Sequence, residues 1–488
     1  MGLKTSLSIL RFEFHAMGAF LVSVLLLACM LYLFGSWRHS YAILASFAIL
    51  VFLISLVRIE IGLGLLVIGM LFSPETEVGI GVTQGVRLRA EDFLIVALVM
   101  AWVVQRVLLG VPLKSTPLNL PILLFLTSTV LSTVGGIAVG YYLDRFQAVF
   151  YIGKLIEFFA VYFFAVNFIK DEKQIFFLLT IFFMVGLAVS LYGLSQVGEI
   201  RRISAPFEGE TPEPNTFGGY LMTVIALAIP LALYTPYVSV RIALCAVAST
   251  AFSALLFTLS RASFLGMIGM AVVLGLLSRS RVIWFGLLLF VAVHQFILPE
   301  EVFQRINYTF QSASGKEVIL PFTIPFVGDT IQVDTSTFER IDVWTKVLHT
   351  WTLDPYHFFF GWGVTRMQIL DSQFARFLIE IGLVGTMLFG FVLWTIFRSS
   401  YWLTQNAESW VVRGFAIGYL ACFIGVLIHS LGTITFYIVR IMEPFWFLTG
   451  ILFWWYVRER ILYETGEDPD DVQKRAWQPD LPWRQVDA

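Results

Sequence analysis

Arginines in the connections between the apolar segments of this chain are the first residues whose type and spacing suggest chemistry. Arg201 and Arg202 are adjacent, and Arg261 lies between two apolar runs with almost no loop. A guanidinium group can hold two phosphate oxygens at once, whereas a lysine ammonium is a point charge. The pattern predicts a pyrophosphate site. The alternative is that each arginine, Arg440 included, reaches lipid headgroups or pairs with a nearby acid.

Two residues are candidate general bases. His357 lies in the long polar segment 299–373. Asp371 lies near the end of the same segment, just before the apolar run that begins at 374. Either side chain can accept a hydroxyl proton, the aspartate when partial burial weakens its acidity. The alternatives are a helix N-cap for Asp371 and a hydrogen-bonded or exposed imidazole for His357.

Further charged residues are paired by helical spacing. Arg376 and Glu380 are four residues apart, so they share a helix face one turn below the start of their apolar run. They form either a structural ion pair or part of a site. Lys154 and Glu157 are three apart inside another run, which predicts a mutually neutralising pair, with a proton relay as the weaker alternative.

The long polar segment has helical order of its own. Residues 339 to about 351 are predicted to form an amphipathic helix that contains Arg340 near its start and that lies on the membrane or packs on the bundle. Asp354-Pro355 is predicted to end that helix, and 358–363 to form an aromatic turn.

Several kinds of site are not indicated. The sequence contains neither a P-loop nor the histidine and cysteine motifs of zinc sites, and its three cysteines lie inside apolar runs. We therefore expect no metal, no cofactor and no nucleic-acid partner.

The composition determines what must position these residues. Of 488 residues, 58% are hydrophobic and 14% are charged, which excludes a soluble enzyme, a disordered chain and a disulfide scaffold. The apolar runs are long and continuous, as membrane helices require. They predict an all-α polytopic membrane protein of about 12–14 transmembrane helices, with one large extracytoplasmic loop that contains amphipathic helices. The predicted spans lie near 17–35, 40–57, 60–73, 92–110, 119–139, 148–169, 175–197, 215–234, 240–259, 262–278, 282–298, 374–397, 410–431 and 441–457.

The order of these spans divides the chain into four regions. Residues 1–298 are N-terminal transmembrane helices, 299–373 a periplasmic loop with active-site elements, 374–457 C-terminal transmembrane helices, and 458–488 a cytoplasmic tail. Lysines such as Lys114, Lys170 and Lys173 fall on the same side as both termini. By the positive-inside rule this side is cytoplasmic.

An ordered set of residues over roughly 200–400 resembles the O-antigen ligase and O-antigen polymerase superfamily. The set comprises Asn215, Tyr220-Leu221-Met222, Pro230, Ser260-Arg261, Arg340 with Trp344, Pro355, Gly361-x-Gly363 and Glu380-x-Gly382-x-x-Gly385. These bacterial inner-membrane proteins transfer glycan from undecaprenyl pyrophosphate to a hydroxyl acceptor. The resemblance implies that Arg261 and Arg340 bind the donor. In the ligases a histidine stands nine residues before the motif glutamate, where this chain has Asp371, so the polysaccharide polymerase branch is favoured.

The resulting hypothesis is a glycosyltransferase for O-antigen or exopolysaccharide assembly. Arg201, Arg202, Arg376 and Glu380 are further candidates for substrate binding. The partners implied are the lipid-linked glycan donor, a glycan or lipid acceptor, membrane lipids and other polysaccharide-assembly proteins. The alternative is a lipid-linked oligosaccharide flippase, which predicts inverted repeats and polar residues near the bilayer midplane. A non-catalytic assembly protein is a third possibility.

Overall fold

The apolar runs fold as helices, because backbone groups in a bilayer have to be satisfied within the segment. The computed structural model describes residues 48–56, 58–73, 75–78, 86–109, 113–140, 145–200, 202–208, 213–278, 280–281, 283–286, 288–289, 292, 320–323, 330–333, 343–349, 354–365 and 372–466. The helices are α1 (Ile59–Phe72), α2 (Ala90–Leu109), α3 (Asn119–Ala138), α4 (Arg145–Phe168), α5 (Glu172–Ser195), α6 (Pro214–Tyr234), α7 (Val238–Phe257), α8 (Arg261–Ser278), α9 (Pro355–Phe360), α10 (Gln373–Asn406), α11 (Trp410–His429) and α12 (Val439–Thr465). Residues 48–56 and 343–349 are also helical, and a 3-10 turn spans Thr435–Tyr437.

Eight helices within the described residues are long and apolar enough to cross a membrane: α3 to α8, α10 and α11. The prediction of an all-α polytopic membrane protein is therefore confirmed. Helix α1 has 14 residues, which agrees with the short third segment predicted near 60–73. The predicted span at 17–35 lies outside the described residues, as do most of 282–298 and part of 40–57.

Helices α6 and α12 lie at the centre of the bundle. Almost every residue of α6 is buried, and in α12 the whole stretch 440–457 is buried. A helix that is apolar on all sides belongs inside a bundle rather than at its surface. Helix α12 packs on α4, α6 packs on α7 and α11, α8 packs on α11, and α3 packs on α10. Beyond Val457, α12 continues to Thr465, so the predicted cytoplasmic tail begins as a continuation of this helix.

The two ends of the bundle differ in composition. At one end the connections between helices are short, namely 169–171, 235–237 and 407–409. At this end Lys114 donates from Nζ to the carbonyl of Ile169, and Arg458 pairs with Glu172. We call the opposite end, where α6, α8, α10 and α12 begin, the site end. Of the candidates named above, the described ones belong to this end: Arg202, Arg261, Arg376, Arg440 and His357.

Two small hairpins accompany the helices, and the sequence did not reveal them. Strand β1 (Glu75–Val78) pairs antiparallel with β2 (Val86–Arg89), with Glu75 opposite Arg89. Strand β3 (Leu320–Thr323) pairs antiparallel with β4 (Thr330–Val333), with Leu320 opposite Val333. Four-residue strands between membrane segments leave too short a pattern to be recognised.

The helical order predicted in the long segment is found in 343–349. There Val347 is buried against Ala375 and Ile379 of α10, so this part of the amphipathic face packs on the bundle. The predicted turn over 358–363 is wrong for 358–360, which belong to α9, and only 361–363 follow the helix. Asp354-Pro355 begins α9, because Asp354 is its N-cap and proline is favourable in the first helical turn. The predicted helix end before this pair lies outside the described residues.

Candidate active site

A break in α10 receives the loop that follows α9. Gly382 has φ +66° and ψ −170°, which interrupts the helix about two and a half turns after its buried start. The carbonyls of Ile379 and Glu380 therefore lose their usual helical donors, and instead accept hydrogen bonds from the amides of Trp362 and Gly363, both at 2.8 Å. Gly361 lies so close to Gly382 that a Cβ on either one would come within 2.4 Å of backbone oxygen. Gly361-x-Gly363 and Glu380-x-Gly382 thus form one structural unit.

Glu380 connects this unit to its surroundings. Its Oε1 accepts from Nε of Arg376 and from the amide of Thr365, each at 2.8 Å. Its Oε2 accepts from the hydroxyl of Tyr437 at 2.7 Å, and its carbonyl accepts from Ser132 of α3 at 2.7 Å. The carboxylate is fully buried, and all of these partners belong to the protein. The sequence left open whether Arg376 and Glu380 form a structural ion pair or part of a site, and these contacts favour the structural ion pair.

Arg376 is held on its other side by aromatic rings. Its guanidinium carbon lies 4.3 Å from the centre of the Tyr437 ring and 5.7 Å from that of Tyr151 on α4. Both contacts are within the range of a cation–π interaction. The predicted substrate-binding residues Arg376 and Glu380 thus join α3, α4, α10 and the 3-10 turn behind the loop 361–365.

His357 is oriented by a carboxylate and a tryptophan. Its Nδ1 lies 2.7 Å from Oδ2 of Asp354, and its ring stacks on Trp362 at 3.6 Å with 10° between the planes. The histidine is 6% exposed, whereas the Asp354 side chain is 43% exposed. A neutral imidazole that donates from Nδ1 to the carboxylate has Nε2 as its acceptor nitrogen. This is the arrangement of a histidine that acts as a base.

Asp354 has two functions in this arrangement. It accepts hydrogen bonds from the amides of Tyr356 and His357 as the cap of α9. The hydrogen bond from His357 is the largest of the influences that lower the pKa of Asp354 below its ordinary value. The sequence analysis did not identify Asp354 as the partner. The available signal was an aspartate three residues before a histidine at a helix start.

The second group of predicted residues lies where α6 and α8 begin. Arg202 donates from Nε to the carbonyl of Thr258 at 3.0 Å and from Nη2 to Oδ1 of Asn215 at 3.4 Å. The turn that follows contains Leu259 at φ +50° and Ser260, whose Oγ accepts from the amide of Ser263 at 3.3 Å. Arg261 is the first residue of α8 and is half-buried. Arg202 and Arg261 therefore flank one turn.

The segment 430–437 links the two groups. At one side Gly432 packs on Ala262, since a Cβ there would lie 3.2 Å from the Ala262 Cβ. At the other side Gln373 accepts from the amide of Phe436 at 2.9 Å, and Tyr437 binds Glu380. The start of α8 and the start of α10 therefore face the same segment, which places Arg261 and the Arg376–Glu380 pair at one end of the bundle.

Four candidates remain: Arg201, Arg340, Asp371 and Arg440. The first three lie outside the described residues. The N-cap position of α10, which was the alternative role for Asp371, belongs to Ser372. Arg440, a candidate for the pyrophosphate in the sequence, is buried and donates to the carbonyls of Pro206, Phe207 and Ser73. Its guanidinium is thus held within the protein, which is closer to the second of the two alternatives given for these arginines.

The described residues contain no group of three or more histidine, cysteine, aspartate or glutamate side chains that could hold a metal ion. The described site offers an oriented imidazole, arginines and helix N-termini. No protein-family model matches the chain, and no characterised protein matches it with significant similarity.

Proposed function

We propose that this chain is a bacterial inner-membrane glycosyltransferase that polymerises or ligates glycan from an undecaprenyl-pyrophosphate donor onto a hydroxyl acceptor. The observation that carries the proposal is that the pieces of the resembled motif meet in space. Gly361-x-Gly363 docks on Glu380-x-Gly382, and the turn with Ser260-Arg261 faces the same connecting segment. The polymerase branch remains favoured because Asp371 replaces the ligase histidine.

His357 is the base that we favour for the acceptor. The acceptor hydroxyl gives its proton to Nε2 as its oxygen forms a bond to the anomeric carbon of the donor sugar. The bond between that carbon and the pyrophosphate oxygen breaks, and the pyrophosphate leaves on its lipid. Asp354 stabilises the imidazolium that forms, because it already accepts from Nδ1 at 2.7 Å.

Arginines at the start of α8 hold the departing pyrophosphate. Arg261 lies at a helix N-terminus, where backbone amides and the helix dipole also favour an anion. Arg202 is held by Thr258 and Asn215 next to this turn. Arg340 remains a donor-binding candidate from the sequence. Since the leaving group is already activated, positioning and charge stabilisation supply most of the catalysis. We assign Arg376 and Glu380 a positioning role rather than direct binding.

The test uses purified protein in proteoliposomes with an undecaprenyl-pyrophosphate-linked oligosaccharide, with product length read by gel electrophoresis. His357→Gln should lower turnover by about 10²–10⁴, the usual contribution of a general base. His349→Gln is the matched control, because His349 is an exposed histidine on the neighbouring helical segment 343–349. It should retain the wild-type rate.

The same assay separates the two candidate bases. If His357→Gln is active and Asp371→Asn is not, Asp371 is the base, since asparagine caps a helix about as well as aspartate but accepts no proton. Near-normal turnover in both variants would exclude general base catalysis by either residue. Absence of any product from wild-type protein would refute the transferase.

The flippase remains the second candidate, because charged residues lie inside the bundle. Lys154 and Glu157 of α4 are both about nine-tenths buried within a helix long enough to cross the membrane. Such residues often line a transport path. Movement of a fluorescent lipid-linked oligosaccharide between leaflets, without a change in its glycan, would support this function over the transferase.

A further inference from the structure

A group of buried charges lies between α2, α4 and α12, apart from the candidate active site. Lys154 binds Asp92 of α2 and also lies 3.0 Å from Glu157. Glu91 lies 3.7 Å from Arg89, which closes β2. Glu443 is buried in the first turns of α12 where this helix packs on α4, and it interacts electrostatically with Glu91, Glu157 and Lys154. We call these six residues the charged cluster: Arg89, Glu91, Asp92, Lys154, Glu157 and Glu443.

The charges of this cluster do not balance. Arg89 is the cation next to Glu91, and Lys154 is the cation next to Asp92. Glu157 and Glu443 have no further cation in the cluster, and Glu157 also lies close to Lys154. Arg440, one turn before Glu443 on α12, is committed to backbone carbonyls and to Glu208 at 3.8 Å. Among the described residues, four carboxylates with two cations would place two excess negative charges inside the membrane domain, where an unpaired charge is costly.

The carboxyl of Glu443 receives no hydrogen bond from the described residues. It is 0% exposed, and neither of its oxygens has a hydrogen-bond partner among the described residues. Glu157 and Glu443 lie at the same level of the contact between α4 and α12, because the rings of Phe159 and Trp446, two and three residues further along, meet edge to face with centroids 4.6 Å apart. The two carboxyl groups therefore interact with each other. Two carboxylates offer only acceptors to each other, so this contact is favourable only when a proton lies between them.

We propose that Glu157 and Glu443 form a proton-binding site in which the two carboxyl groups share one proton near neutral pH. The proton gives Glu443 its missing hydrogen bond and removes one of the excess charges. The ligand is a proton rather than a metal ion, because no described group of carboxyl, imidazole and thiol side chains is arranged for a metal. This inference does not depend on the reaction that the protein catalyses.

The site lies near the candidate active site. Tyr151 is one helical turn before Lys154 on α4 and contacts the guanidinium of Arg376. Tyr437, which binds Glu380, precedes α12 by two residues, and Glu443 follows within the first turns of that helix. The shared proton therefore acts on the packing of α4 against α12, the two helices behind the Arg376–Glu380 pair.

Infrared spectroscopy of the purified full-length protein in lipid tests the proposal, because a protonated carboxyl has a carbonyl stretch that a carboxylate lacks. We expect this band in wild-type protein near neutral pH and its disappearance as the pH is raised. Glu443→Gln should weaken it, since glutamine keeps the hydrogen bond to Glu157 through its amide but carries no proton. Glu157→Gln should weaken it equally, because either substitution removes one excess charge.

The control is Glu464→Gln, an exposed carboxylate near the other end of the same helix α12, which should leave the band unchanged. A wild-type protein without the band near neutral pH would overturn the proposal, and this measurement needs no variant to fold. Unchanged band intensity in both Glu443→Gln and Glu157→Gln would overturn it as well.

Discussion

Substitution of Gly382 by alanine tests whether the break in α10 holds the candidate active site together. At φ +66° and ψ −170°, Gly382 adopts a backbone conformation that essentially only glycine tolerates. An added methyl group would also lie 2.4 Å from the carbonyl oxygen of Phe359. The loop 361–363 would have to move away from α10, and the hydrogen bonds from Trp362 and Gly363 would weaken.

The expected cost follows from these two effects. Backbone strain of this kind costs about 1–3 kcal/mol, and overpacking costs about 1–3 kcal/mol more. We therefore expect Gly382→Ala to lower the free energy of unfolding by about 2–6 kcal/mol. Gly390→Ala is the matched control, because Gly390 lies in the same helix with nothing within 4 Å of an added Cβ. There alanine should stabilise the protein by up to about 1 kcal/mol.

The assay is reversible unfolding in mixed micelles of dodecyl maltoside and increasing SDS, followed by tryptophan fluorescence. The transition of Gly382→Ala should move to lower SDS, and that of Gly390→Ala should stay or move to higher SDS. Glycan transfer should fall in Gly382→Ala alone, because His357 stacks on Trp362 in the displaced loop. Equal transitions for the two variants would refute the reasoning.

Four further predictions follow from the site and its orientation. Arg376→Leu should lower the free energy of unfolding by about 3–5 kcal/mol, because it leaves Glu380 buried without its ion partner. The double variant with Glu380→Leu should lose less than the sum of the losses of the two single variants. Strictly additive losses would contradict the ion pair. Arg261→Ala should abolish glycan transfer. Arg261→Lys should restore little of it, since an ammonium group cannot hold two phosphate oxygens as a guanidinium group does. The control Arg398→Ala, near the opposite end of α10, should transfer glycan normally. The hydrogen bond from His357 lowers the pKa of Asp354, so it stabilises the fold at pH values above the ordinary aspartate pKa of about 3.9. This stabilisation is lost as the pH falls through the lowered pKa, and the difference in melting temperature between wild type and Asp354→Asn should therefore narrow over that range. A difference that stays constant with pH would contradict this prediction. A cysteine in place of Ser314 should react with a membrane-impermeant reagent from outside intact cells, and labelling only after permeabilisation of the inner membrane would reverse the proposed orientation.

The helices could be predicted from the sequence because burial in a bilayer leaves long apolar runs. The pairs Lys154–Glu157 and Arg376–Glu380 could be predicted as well, because both partners lie on one helix face. What the sequence could not reveal were partners from distant helices. Asp92 and Glu443 join Lys154 and Glu157 only through the packing of α2, α4 and α12.

Chemically equivalent residues also proved ambiguous. Arg440 and Arg261 both follow apolar segments, yet the guanidinium of Arg440 satisfies backbone carbonyls, and composition does not distinguish a carbonyl from a phosphate oxygen. Asp354-Pro355 is equally suited to ending one helix and beginning another. In the structure the pair begins helix α9, and this role positions His357.

The burial of α12 has a consequence for how the protein is made. A charged residue can cost up to about 3 kcal/mol when a helix enters lipid, and α12 carries Arg440 and Glu443. The described groups that receive them all precede α12 in the chain: the carbonyls of Ser73, Pro206 and Phe207, the carboxylate of Glu208, and side chains of α2 and α4. When α12 emerges from the ribosome its partners have already been synthesised. The helix can therefore pass from the translocon directly into contact with the helices that precede it. Because of this order of synthesis, Arg440 and Glu443 need not be exposed to lipid.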